Sequence, residues 1–189
     1  MGFKYKHLWH SDAAVDGGIS NYPGVDIESN PALTADYINN NLSLLYQNII
    51  SPLTNAFGPD NIFISSGYRC MLLNRSIGAS PTSQHVYGLA VDLACSTHSS
   101  RDIFNWCIEN LPNSWNQLIW EYPEKGNYTA GKSSFSWLHA SWAQGYNLRK
   151  ISVATTVESI HERYKEEDGT NRVGEYTHKI NRAYNDIGI

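Results

Sequence analysis

Between Ser65 and Leu93 the chain reads SSGYRCMLLNRSIGASPTSQHVYGLAVDL, and this stretch constrains the fold more than any other part of the sequence. Arg69, His85 and Asp92 are separated there by Gly67, Gly78, Pro81 and Gly88, residues that bend backbone and bring distant side chains together. On one unbroken strand His85 and Asp92 would face opposite sides, and Gly88 supplies a place to break the alternation. A neutral imidazole and a carboxylate aimed at one point make two thirds of a catalytic zinc site, which takes three protein ligands and leaves the fourth position to water. Of the seven histidines, His139 fits best as the third. It lies in SFSWLHASW, residues 134–142, which reads as a strand with Trp137, His139 and Ser141 on one face and Leu138, Ala140 and Trp142 on the other.

The 189 residues suit one domain with a sizeable core and room for a small appendage. A net charge of -4 lacks the basic footprint that gripping phosphate backbones requires, so nucleic acid is excluded as a partner. Cys70, Cys95 and Cys107 are odd in number and have no CxxC spacing, which predicts buried free thiols. No stretch approaches the roughly 20 apolar residues needed to cross a bilayer, and the N-terminus has no apolar core of a signal peptide. The expectation is a chain made in the cytoplasm without stable membrane insertion.

Residues 1–30 read as loop. Apolar residues at Leu33, Tyr37, Ile38, Leu42, Leu45, Ile49, Leu53 and Phe57 predict a long amphipathic helix, capped by Ser29 or Asn30 and kinked or split near Pro52. Strands are expected at 61–65, 89–94, 117–122 and 134–142. Short and longer helices are expected at 71–77 and after a cap at Ser99 or Ser100. Strands joined by short connections, with helices before and between them, predict an α+β domain with an antiparallel sheet. From Thr155 to Ile189, apolar residues at Val157, Ile160, Tyr164, Tyr176, Ile180, Ala183 and Ile187 predict two charged amphipathic helices. The expected division is a domain over 1–150 and a helical hairpin extension over 151–189.

Three blocks then carry a resemblance: SGYR at 66–69, SPTSQHVYGLAVDL at 80–93 and WLHAS at 137–141. In this order they resemble the zinc D-Ala-D-Ala carboxypeptidase family of peptidoglycan peptidases, in its phage and bacterial branch, whose fold is shared with hedgehog signalling domains. The block HSDAAVDGGISNYPG at 10–24 is similar to the same branch, so the likeness spans roughly residues 8–150. The resemblance implies a hedgehog/DD-peptidase-like antiparallel sheet flanked by helices, with zinc held by His85, Asp92 and His139. It implies that Arg69 binds a substrate carboxylate, and that Ser83, Gln84 and Tyr68 line the substrate. Many relatives carry an acidic residue or a histidine three positions before the last zinc histidine, where this chain has Ser136, a residue that is no general base at neutral pH. The role passes to Glu121 in QLIWEY, a block with a counterpart in that branch. The expected activity is zinc-dependent hydrolysis of an amide bond in the peptidoglycan stem peptide, by a D-Ala-D-Ala carboxypeptidase or a related endopeptidase acting at the cell wall as a phage lysin. The alternative is a non-catalytic zinc-containing cell-wall recognition module or virion component.

Overall fold

The computed structural model describes residues 5–111, 115–130 and 135–143, and three further strands at 150–154, 172–176 and 181–185. Helix α1 spans Asp12–Asp16, α2 Ala35–Leu45, α3 Ser51–Phe57, α4 Met71–Ser76 and α5 Ser100–Asn110. The strands are β1 Ile62–Ser66, β2 Ala90–Cys95, β3 Gln117–Glu121, β4 Trp137–Ser141, β5 Lys150–Ala154, β6 Arg172–Tyr176 and β7 Asn181–Asn185.

Local chemistry accounts for the helix ends. Helix α5 opens on a capping box in which the Ser99 hydroxyl accepts from the Asp102 amide and the Asp102 carboxylate accepts from the Ser99 amide. Helix α2 starts later than the apolar spacing predicts, because Thr34 caps it by accepting from the Tyr37 amide, and Pro31 lies in the turn before it. The expected break near Pro52 takes the form of a π-helical turn over Tyr46–Ile50. Proline lacks the N–H that would continue an α-helical ladder and crowds the carbonyl four residues back, so the backbone widens just before it.

The sheet order is β1-β2-β4-β3-β5-β7-β6. Its first four strands are antiparallel, the α+β arrangement that the sequence predicts. Strand β4 lies between β2 and β3, so the register sets Asp92 against His139 and His139 against Ile119. This parity sorts the side chains into two faces. Val91, Leu93, Leu118, Trp120, Leu138 and Ala140 belong to the buried hydrophobic core, together with Ile103, Phe104 and Cys107 of α5. Asp92, Ile119, Glu121, Trp137 and His139 fall on the other face. All six residues of β2 are buried, which marks it as the strand covered on both sides. The three cysteines are buried and free.

The C-terminal segment differs from the helical hairpin expected of it. Strand β5 runs parallel to β3, and β7 and β6 extend the sheet beyond it. RVGEY and NRAYN are five-residue pieces, too short for spacing alone to separate a helix from a strand, and sheet pairing decides the outcome. The rest of the expected hairpin, 155–171, 177–180 and 186–189, lies outside the described residues. No helix among the described residues is long and apolar enough to cross a membrane.

Candidate metal centre

His85 is not on a strand. It lies in a short 3-10 helix over Gln84–Tyr87, closed by Gly88 at φ 68° in the left-handed region. A β-carbon on Gly88 would also come within 3.1 Å of the Ile38 carbonyl oxygen, so glycine is required there for both backbone conformation and space. The chain then enters β2, and the alternation is broken where the sequence predicts. His85 and Asp92 thereby reach the same point, and β4 brings His139 to it from the neighbouring strand.

The three ligand-type atoms are close together. His139 Nδ1 is 2.8 Å from Asp92 Oδ1, His85 Nε2 is 3.2 Å from the same oxygen, and the two imidazole nitrogens are 3.2 Å apart. A tetrahedral cation bound at about 2.0–2.1 Å asks for ligand atoms roughly 3.3 Å apart. The protonation pattern supports the same fit. His85 Nδ1 lies 2.7 Å from the carbonyl oxygen of Gly67, and since a carbonyl only accepts, this nitrogen carries the proton. Burial pushes the His85 imidazole below its usual range, which favours the neutral ring with a lone pair on Nε2. Burial opposes ionisation of Asp92, yet the imidazoles of His85 and His139, by charge and hydrogen bonding, hold its carboxyl well below the usual range. A lone pair and a carboxylate oxygen facing each other at 3.2 Å suit a cation between them. The set is one that could hold a metal ion, with the Gly67 carbonyl orienting the first ligand.

Arg69 borders the set, with one guanidinium nitrogen 3.6 Å from Asp92 Oδ2. Its Nε is buried and has no hydrogen-bond partner among the described residues. The N-terminal loop holds this part of the chain in place. Asn21 donates to the carbonyls of Trp9 and Tyr68 and accepts from the Cys70 amide, and Asp26 accepts from the Met71 amide. The sequence reading left Asn21 and Asp26 without a role. Both lie between α1 and α2, within the segment 1–30 that reads as loop.

Glu121 ends β3, opposite Trp137 and two residues along from the position that faces His139. Its carboxyl is pushed up to about 7, first by burial and then by the charge of Asp92, against the pull of His139, Arg69 and Lys125. This has a measurable consequence in metal-free protein. A carboxyl raised from the usual 4.5 to about 7 binds more protons folded than unfolded between those values, so its penalty is absent below 4.5 and complete above 7. Glu121→Gln should therefore raise stability at pH 8 by at most about 3 kcal/mol and leave it nearly unchanged at pH 4. Urea midpoints of the two metal-free proteins at both pH values measure the difference, and an equal gap at both would contradict it.

The other residues expected at the site are placed as follows. Tyr68 is 1% exposed, and its hydroxyl donates to Asp26 at 3.2 Å. It is a core residue rather than a substrate-lining one, with its phenol pushed well up by burial and by Asp26. Gln84 donates to Asn116 across the connection to β3, and Ser83 precedes the 3-10 helix, partly exposed. Ser136 is buried, in contact with Trp120 and Ser100.

An α+β domain whose sheet joins a buried His-Asp-His set to a proton-holding carboxyl has the architecture of a metallopeptidase. The family model described as Peptidase M15 matches residues 3–118, and the chain belongs to that family. No curated protein matches the chain. The matched span contains Arg69, His85 and Asp92, while Glu121 and His139 lie beyond its end.

Proposed function

We propose that the protein is a zinc-dependent peptidase that hydrolyses an amide bond in the stem peptide of peptidoglycan, at the bacterial cell wall. The observation that carries this reading is the convergence of His85 Nε2, Asp92 Oδ1 and His139 Nδ1 within 3.2 Å of one another. Two imidazole nitrogens and one carboxylate suit zinc, with one position left open. When bound, the ion acts as a Lewis acid on the scissile carbonyl and brings the pKa of water towards about 7.

The side chains divide the remaining work. His85 is kept in its ligand tautomer by the Gly67 carbonyl. Glu121, with its carboxyl near neutrality, takes a proton from the attacking water and gives it to the leaving amine. Arg69 holds a carboxylate of the stem through the guanidinium fork, and its unpartnered buried Nε is a donor that such a group would satisfy. Arg69→Ala should leave metal content whole and lower kcat/KM by about 10- to 100-fold, the worth of a hydrogen-bonded charge, and Arg69→Lys should restore only part of it.

The direct test is to incubate zinc-loaded protein with purified peptidoglycan and with synthetic stem peptides, and to identify the new termini. Release of D-alanine marks a carboxypeptidase, and a new amino terminus on D-glutamate marks an endopeptidase. Full zinc occupancy without any hydrolysis would leave a wall-recognition module in place of an enzyme.

A further inference from the structure

Ser136 lies three residues before His139 and is only 1% exposed, yet its hydroxyl is fully engaged. It accepts from Ser100 Oγ at 2.7 Å and from the indole N–H of Trp120 at 3.0 Å, and it donates to the backbone carbonyl of Glu121 at 2.8 Å. The direction of each bond is settled by chemistry, since an indole only donates and a carbonyl only accepts. The same indole N–H also reaches Ser100 Oγ at 3.1 Å. Meanwhile the Ser136 amide donates to the Gly126 carbonyl at 2.7 Å, which ties down the loop that leaves β3.

This cluster sits where β3 most needs holding. Glu121 is the last residue of the strand, and Tyr122 after it has φ 50° and ψ 56°, a left-handed conformation that a non-glycine residue adopts only under constraint. The peptide plane between them sets the direction of the Glu121 side chain. Its carbonyl is fixed by Ser136 from the core side, where Trp120 and helix α5 lie, while the carboxyl belongs to the face of Asp92 and His139.

We infer that Ser136, backed by Ser100 and Trp120, is a positioning residue that holds Glu121 in its working orientation from behind the sheet. The inference rests on the general-base role proposed for Glu121. A buried, saturated hydroxyl on the backbone of a reactive carboxyl acts through that carboxyl and not on substrate, so its loss should lower kcat and leave KM and metal content unchanged.

The test is a double-mutant cycle between Ser136→Ala and Glu121→Gln in zinc-loaded protein, with metal content and thermal stability measured for each variant. The expected result is a loss of about 10- to 100-fold in kcat for Ser136→Ala in the parent and no further loss in the Glu121→Gln background. Ser136→Cys fills the same space with a poor donor and should behave like the alanine variant. In metal-free protein, the carboxyl 13C resonance of Glu121 should move on Ser136→Ala. Overturning results are an unchanged kcat or resonance, an equal loss in both backgrounds, or full rescue by cysteine. Glu121→Gln at parental activity would instead remove the general base itself, whereas an impaired Glu121→Gln beside an unimpaired Ser136→Ala removes only the positioning.

Discussion

Glu121→Gln is expected to lower kcat/KM by about 10² to 10⁴, the range that positioned proton transfer typically contributes, with zinc content and fold retained. The amide keeps the size of the carboxyl and removes its basicity. Burial and the charge of Asp92 push this carboxyl up to about 7, while His139, Arg69 and Lys125 pull the other way. The acid must lose its proton to act as a base, so activity should rise with pH through an acidic limb. The glutamine variant should lack that limb. Rate profiles of both proteins across pH 4–9, recorded at saturating zinc, measure the effect. A variant that retains the parental rate and limb would show that some other group accepts the proton.

His85→Ala, Asp92→Ala and His139→Ala should each abolish stoichiometric zinc binding and hydrolysis together. Losing a partner that only orients a ligand typically costs 10- to 100-fold in metal affinity, and losing one of three ligands should cost more. The three are also interdependent before any metal arrives, because Asp92 Oδ1 is shared between both imidazoles. Asp92→Asn is the most informative single change. It preserves shape and removes the anion that offsets a divalent cation, so it separates charge from geometry. Metal analysis after dialysis against a weak chelator gives the result, and a variant that keeps one zinc at parental affinity would take its residue out of the ligand set.

Much of the centre was legible in the sequence because its information is local. The glycine between His85 and Asp92 announces a break in strand alternation, and Gly88 at φ 68° supplies it. Ser99 and Asp102 carry their own capping chemistry, and the parity of WLHAS foretells which residues share a face with His139. Residues far apart in the chain were harder. Tyr68 follows a glycine in a block that the resemblance ties to substrate, and only the packing of the N-terminal loop reveals that Asp26 takes its hydroxyl.

The sequence by itself determined the candidate ligand types, their order, the breaks between them and the alternation of each strand, since these depend on backbone preferences a few residues long. The tertiary structure alone decided that β4 inserts between β2 and β3, which sets His139 against Asp92 and brings Glu121 to the same face. It alone turned Ser136 from an apparent gap in the acid/base machinery into the hydroxyl behind Glu121, and 172–176 and 181–185 into strands. The physical reason is the same in each case. Strand order, burial and pairing are set by contacts between residues distant in the chain, and their energies override short apolar spacings that fit a helix and a strand almost equally well.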